Sequence, residues 1–318
     1  MKPENPRRQP WRHGACRAVY LLIVGLLSAW SGEATVGEAA VPEVVVSIPP
    51  LEWLVERIAG DRIAVESLLA PGDSPATFQP RDAEVTAMLR SRMFVRIGVP
   101  FENGPWLEAI ARSGRVEIVD ARRGIELQPM TTGLTDRDGP SMGHLGGSSD
   151  GSGQDPHIWL SPALLEVQAA TLAEALSALD PDGAGLFAEN LTRLRAELER
   201  VDRQLRIKLA PYQDRVFLVF HPSWGYFAHD YGLRQVAIEI EGKTPSDEEL
   251  TRIQRVAAEA DCRVVFSQPQ FYRRAAEAVA GAIGAEVIEI DPLAIDIPTN
   301  LDRVADLMIA GFEADVTP

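Results

Sequence analysis

Short β-branched runs alternate with segments of helical periodicity along most of this 318-residue chain. Residues 44–48 form one such run, residues 51–59 follow with apolar side chains at helical spacing, and residues 62–69 return to a strand-like pattern. The alternation resumes in the second half with the apolar run at 216–220. A repeated strand–helix order is typical of parallel sheets covered by helices. We therefore predict an α/β fold of two similar lobes with mostly parallel sheets.

A long helical segment separates the two predicted lobes. Apolar residues recur through 185–209 at helical spacing, namely at Leu191, Leu194, Leu198, Val201 and Leu205. At 1.5 Å per residue this helix would be roughly 35 Å long, so we expect a rigid connector. We divide the chain into an N-terminal lobe at 41–180, a connecting helix at 181–210 and a C-terminal lobe at 211–318.

The first 40 residues differ in character from the rest of the chain. They carry basic side chains, then an apolar run at 18–29, then small residues. This order is typical of a secretory signal, so we predict a signal peptide at 1–40 that directs the protein to the periplasm. A membrane-spanning helix needs about 20 apolar residues, which makes an uncleaved anchor the less favoured alternative.

The charge and cysteine content exclude other classes of protein. The net charge is −15, from 31 Lys and Arg against 46 Asp and Glu, so no basic excess is available to meet the phosphates of a nucleic acid. Of the two cysteines, Cys16 lies in the predicted signal peptide, and Cys262 alone cannot form an internal disulfide. We expect Cys262 to be a small buried side chain and the protein to be a monomer.

Two histidines and one aspartate stand directly after or before apolar runs. His157 follows Asp-Pro, His221 follows the run at 216–220, and Asp291 follows the run at 286–290. Ligands of open parallel sheets bind at the carboxyl ends of strands, so we predict that the three side chains converge in a cleft between the lobes. Neutral imidazoles with one carboxylate suit a borderline divalent ion such as Zn²⁺. Taken singly, each residue has a structural alternative: a histidine at a strand end can be a satisfied polar residue, and Asp291-Pro292 can be a turn.

At this point the chain resembles a known family, the metal-binding solute receptors of bacterial ABC importers, in their zinc and manganese group. The resemblance covers roughly residues 44–311. It rests on the motifs DPHIWLSP (155–162), HPSWGYF (221–227), IEIEG (238–242), FSQPQF (266–271) and IDPL (290–293). The resemblance implies that His157, His221 and Asp291 are metal ligands, and that the two lobes are joined by a rigid helix.

The chain departs from the family's pattern at the first ligand. The family carries a His in a Pro-His-x-Phe segment of the N-terminal lobe, and Ala76 stands at that position. Three arrangements stay open: water or the second oxygen of Asp291 fills the fourth position, His144 folds over from the Gly/Ser-rich flexible loop at 139–155, or a metal chelate brings its own donor. Gln268 stands where relatives often carry Glu.

These observations predict a periplasmic receptor that binds a divalent metal ion, with zinc as the first choice, and delivers it to the membrane permease of an ABC importer. A receptor for Mn²⁺, Fe²⁺ or a metal chelate is the nearest alternative. An exported zinc hydrolase is a weaker one, because the chain has no His-Glu-x-x-His motif. A surface adhesin overlaps with the family and stays open.

Overall fold

The computed structural model describes residues 43–130, 153–238 and 246–314. The predicted signal peptide, His144 and residues 139–152 of the Gly/Ser-rich loop lie outside the described residues. Within the described ranges, no helix combines the length and the apolar character needed to cross a bilayer.

The first lobe is built on a sheet that contains four parallel strands in the described residues. The strands are β1 (Val44–Val46), β2 (Val65–Ser67), β3 (Met93–Arg96) and β4 (Glu117–Asp120). They lie in the order β2-β1-β3-β4, and each neighbouring pair is parallel. The central strand β1 consists of three buried valines, as expected for a strand that is covered on both faces.

Helices connect these strands. They are α1 (Pro49–Ala59), α2 (Asp82–Arg90) and α3 (Pro105–Ser113). Two prolines open α1, where their missing N–H groups leave no hydrogen bond unmade. Leu51, Leu54, Val55 and Ile58 form its buried face, which is the face that the helical spacing predicts.

The second lobe repeats the design of the first. Its described strands are β5 (Val216–Val219), β6 (Arg234–Ala237), β7 (Val264–Ser267) and β8 (Glu286–Glu289). They are parallel and lie in the order β6-β5-β7-β8, which is the spatial order of the first sheet. Four helices accompany them in the described residues: α6 (Gly225–Tyr231), α7 (Asp247–Glu259), α8 (Arg273–Ile283) and α9 (Ile297–Ala314).

Two long helices lie between the sheets in sequence, α4 (Pro162–Leu179) and α5 (Ala184–Leu209). The 26-residue α5 packs against α1 and α4 and also against α9 of the second lobe. Its apolar positions, including Leu194, Leu198 and Leu205, are buried. The expected long connecting helix and the two parallel α/β lobes are confirmed.

The strand order determines where a ligand can approach. In each sheet the chain moves to one side of the first strand and then crosses to the other side, so the carboxyl ends of β1 and β3, and those of β5 and β7, border a crevice. His221 and Gln268 follow β5 and β7 closely. The fold therefore presents side chains from two neighbouring strand ends at one edge of the second sheet.

One predicted strand is shorter than expected. The strand-like pattern covers residues 62–69, whereas β2 spans Val65–Ser67 alone. The preceding residues, Gly60–Arg62, form a 3₁₀ turn at the end of α1. The backbone carbonyl of Ala64 then accepts from the N–H groups of Glu43 and Val44 and so begins the pairing with β1.

The amino-terminal cap of α7 gives a prediction about stability. The Ser246 hydroxyl accepts from the Glu249 backbone N–H at 3.4 Å, and the Glu249 carboxylate accepts from the Ser246 backbone N–H at 2.7 Å. We expect Ser246→Ala to lower the free energy of unfolding by about 1 kcal/mol at neutral pH, because the side-chain cap is lost. Urea denaturation of both proteins measures this difference.

The same cap predicts a dependence on pH. Hydrogen bonds from the Ser246 backbone N–H and from its hydroxyl lower the pKa of Glu249. A lowered folded-state pKa stabilises the fold above the ordinary glutamate pKa, and this contribution is lost as the pH falls through the lowered value. The loss of stability caused by Ser246→Ala should therefore become smaller as the pH falls through the lowered pKa of Glu249. A difference in stability that stays constant into acid would contradict this account.

Candidate functional site

Gln268 holds the backbone of His221 at the carboxyl end of β5. The backbone N–H of His221 donates to Gln268 Oε1 at 3.2 Å, and Gln268 Nε2 donates to the His221 carbonyl at 2.7 Å. Gln268 is 2% exposed, so its amide is shielded from competing water. Both polar backbone atoms of His221 are therefore bound by one side chain.

The imidazole of His221 also has a fixed neighbour. It stacks on the ring of Phe271, with centroids 4.7 Å apart and planes inclined by 26°. Gln268 and Phe271 lie on the same segment after β7, so a single segment contacts both the backbone and the side chain of His221.

Asp155 orients His157. Its Oδ1 accepts from the His157 backbone N–H at 2.9 Å and lies 2.6 Å from the ring Nδ1. A carboxylate oxygen can only accept, so Nδ1 carries the ring proton and Nε2 of the neutral ring keeps its lone pair. This is the carboxylate–imidazole pairing that commonly orients metal-binding histidines. His157 and Asp155 are 8% and 2% exposed.

Helix α6 packs closely against Asp155. The Tyr226 hydroxyl donates to the Asp155 carbonyl at 3.0 Å and accepts from the Gln128 backbone N–H at 2.9 Å. Burial raises the pKa of the Tyr226 phenol, which keeps it protonated as a donor. A methyl group added at Gly225 would lie 2.8 Å from Asp155 Oδ2, so only glycine allows this approach.

These contacts bring the two histidines together. The ring centroids of His157 and His221 are 5.4 Å apart, and the planes are inclined by 72°. His157 lies in the segment that leads into α4, whereas His221 follows β5 of the second lobe. Two imidazoles from different parts of the chain thus lie edge to face.

The Asp291 segment is bound to the same region. Trp159, whose ring centroid is 5.1 Å from that of His157, donates from its indole nitrogen to the Pro292 carbonyl at 2.6 Å. Asp291 Oδ1 accepts from Gln270 Nε2 at 2.7 Å and from the Leu293 backbone N–H at 2.9 Å. Its carboxylate is therefore already hydrogen-bonded in this structure.

The predicted set of three ligands is brought together only in part. Within residues 43–130, 153–238 and 246–314, no group of three or more His, Cys, Asp or Glu side chains is close enough to hold a metal ion. His157 and His221 are adjacent, whereas the assignment of Asp291 as a third ligand stays a prediction. His144 lies outside the described residues.

Ala76 lies in a loop of the first lobe, and its methyl side chain has no atom that could bind a metal ion. The Ala76 backbone N–H donates to the Ser74 hydroxyl at 3.3 Å, and the Pro75 carbonyl accepts from the Phe101 backbone N–H at 3.2 Å. Ala76 itself is exposed.

The nearby crevice of the first sheet contains a buried carboxylate, Glu102, which accepts from the backbone N–H groups of residues 97 and 98. Burial raises the pKa of Glu102.

Sequence reasoning quoted the motifs that contain Asp155, Tyr226, Gln268 and Gln270 but assigned these side chains no role in orienting the histidines or Asp291. Asp155 has a local signal, because an Asp often bonds the backbone N–H two residues later. Gln268, Gln270 and Tyr226 have no comparable local signal for their contacts, since their partners are distant in sequence.

The chain is similar to proteins of zinc uptake. The family described as zinc-uptake complex component A, periplasmic (ZnuA), matches residues 44–309. The high-affinity zinc uptake system protein ZnuA of Paracoccus denitrificans (strain Pd 1222) is 30% identical over 276 residues, which cover 76% of this chain and 81% of that protein.

Solved structures give the same result. A crystal structure of ZnuA superimposes with a TM-score of 0.74 at 37% identity, covering 85% of this chain and 98% of that one. A zinc-bound deletion mutant of ZnuA gives a TM-score of 0.74 at 38% identity, covering 84% and 96%. The family match over residues 44–309, together with the Paracoccus relative, shows that the chain belongs to the family of periplasmic zinc-uptake component A proteins.

Proposed function

We propose that this protein is a periplasmic receptor that binds Zn²⁺ and delivers it to the membrane permease of an ABC importer. The observation that carries the proposal is the approach of two imidazoles, His157 and His221, to a centroid distance of 5.4 Å in a chain of this family. Paired neutral imidazoles are characteristic ligands of zinc and are unusual for the harder ions Ca²⁺ and Mg²⁺.

The contacts around the histidines support specific roles. Asp155 occupies Nδ1 of His157, so this residue would bind the ion through Nε2. The stacking of His221 on Phe271 fixes its ring plane. Asp291 is the proposed third ligand. The Trp159 indole, in the His157 segment, donates a hydrogen bond to the carbonyl of Pro292, the residue after Asp291. His144 remains a candidate for an additional ligand.

The charge and chemistry of the chain favour capture of a cation. The net charge of −15 attracts cations, and imidazole ligands bind Zn²⁺ more tightly than Mn²⁺ or Fe²⁺. A receptor requires capture without turnover, which agrees with a family of uptake components. The nearest alternative is a receptor for Mn²⁺, Fe²⁺ or a metal chelate that provides one donor itself.

The two histidines give the direct test. We expect His157→Ala and His221→Ala each to weaken Zn²⁺ binding by at least about 100-fold, above the 10–100-fold effect typical of outer-shell partners. The measurement is the dissociation constant from competition with a chelating indicator. His229→Ala is the matched control, because His229 lies on α6 with a side chain that is 68% exposed.

Two outcomes would contradict the proposal. Equal Zn²⁺ affinity in wild type and in both histidine variants would remove these residues from the site. Chelator-sensitive hydrolysis of a model ester or peptide by the wild type would support the alternative of an exported zinc hydrolase.

The contact between α6 and Asp155 gives a second prediction. The new methyl group of Gly225→Ala would displace the Asp155 carboxylate, and the orientation of His157 would be lost with it. We expect about a 10-fold weaker Zn²⁺ affinity, at the lower end of outer-shell effects. Calorimetric titration of the folded variant measures it.

Gly185→Ala is the control for this substitution. Gly185 lies on α5, and an added methyl group there meets no described atom within 4 Å apart from its chain neighbours and the backbone of its own helix. Its Zn²⁺ affinity should equal that of the wild type. If Gly225→Ala folds and also binds Zn²⁺ as tightly as the wild type, Asp155 does not orient a ligand.

A further inference from the structure

The segment after β7 contacts both second-lobe residues of the proposed site, His221 and Asp291. In the sheet order β6-β5-β7-β8, β7 lies between the strands that precede His221 and Asp291. Gln268 and Phe271 contact His221, and Gln270 contacts Asp291. The position of the strand therefore explains why one short segment reaches both residues.

Gln270 has one satisfied and one unsatisfied polar atom. Its Nε2 donates to Asp291 Oδ1 at 2.7 Å, whereas its Oε1 is buried and has no hydrogen-bond partner among the described residues. The amide cannot be turned over, because a carboxylate oxygen accepts and does not donate. A buried acceptor without a partner costs free energy, and such atoms in folded proteins usually meet an ordered water or a ligand.

The position of Gln270 Oε1 limits which groups could donate a hydrogen bond to it. Both atoms belong to one planar amide, so Oε1 lies within about 5 Å of Asp291 Oδ1. A donor bound near Asp291 would reach it. Water bound to Zn²⁺ is a strong donor, because the ion withdraws charge from the oxygen, and a site with three protein ligands keeps one position for water.

We propose that Gln270 is a positioning residue of the metal site, with Nε2 holding Asp291 and Oε1 accepting a hydrogen bond from a water bound to the cargo ion. This inference rests on the proposed function, since it requires an ion at Asp291. Gln270 acts on the ion through Asp291 and through water, and it makes no direct bond to the metal.

The test substitutes Gln270→Met, which keeps the length of the side chain and removes both polar atoms. We expect the Zn²⁺ dissociation constant to rise about 10-fold, as for other outer-shell partners. In an Asp291→Ala background the same substitution should change the constant by less than about 3-fold, because the orientation of the Asp291 carboxylate is then already lost and only the contact to water remains. A merely structural role would give the same loss in both backgrounds.

Gln168→Met is the matched control. Gln168 on α4 is a buried glutamine, and its Oε1, like that of Gln270, has no partner in the part of the chain that the structure describes. Its Nε2 donates to the Leu164 carbonyl within its own helix. Its replacement should leave Zn²⁺ affinity unchanged. A crystal structure of the zinc-loaded wild type provides the second measurement, in which we expect Gln270 Oε1 within hydrogen-bond distance of a zinc-bound water.

The outcomes separate the two proposals. Failure of the wild type to bind Zn²⁺ would overturn the proposed function and this inference together. Tight binding by the wild type with an equal constant for Gln270→Met would overturn the inference alone. An equal loss in the Asp291→Ala background, or a protein donor at Oε1 in the loaded structure, would also overturn it.

Discussion

Hydrogen bonds between the segment before α4 and the second lobe, two of them buried, hold the candidate site together. The Tyr226 hydroxyl on α6 bonds the Asp155 carbonyl, the Trp159 indole bonds the Pro292 carbonyl, and the Ser161 hydroxyl bonds Asp230 Oδ2 at 2.5 Å. Hydrogen bonds shielded from water are costly to break, because each released group would stay buried without a partner. The spacing of the two histidine rings therefore depends on these links as much as on the histidines.

The parallel arrangement of the strands explains why the site forms where it does. All strands of a parallel sheet end at one edge, so residues that follow β5, β7 and β8 meet although they are distant in sequence. The candidate site combines this edge with the segment at 155–161. Neither the sheet edge nor the segment at 155–161 contains all three proposed ligands by itself.

Much of the fold is predictable from the sequence because its signals are periodic and local. The spacing predicts a helix at 51–59, and α1 spans Pro49–Ala59. The pattern also gives the parallel strands of both lobes and the connecting helix. Strand limits are harder to predict, because β2 ends where its pairing with β1 ends, and pairing is a long-range property.

The site is predictable only for its most distinctive residues. His157 and His221 stand in recognisable motifs, and the structure brings their rings together. The amides of Gln268 and Gln270 have no periodicity that would indicate their roles, since each acts on a residue more than 20 positions away. Side-chain orientation across paired strands is therefore the information that a single sequence lacks.

The amide at Gln268 also has an electrostatic consequence. An amide both donates and accepts, so it satisfies the N–H and the C=O of His221 without adding charge. A carboxylate in its place could accept from the His221 N–H but could not donate to the His221 carbonyl. One of the two hydrogen bonds would then be lost, and a buried negative charge would be added next to the backbone of the histidine. The neutral amide therefore fixes the loop after β5 from both sides of one peptide residue, so the direction of the His221 ring is set by an uncharged clamp.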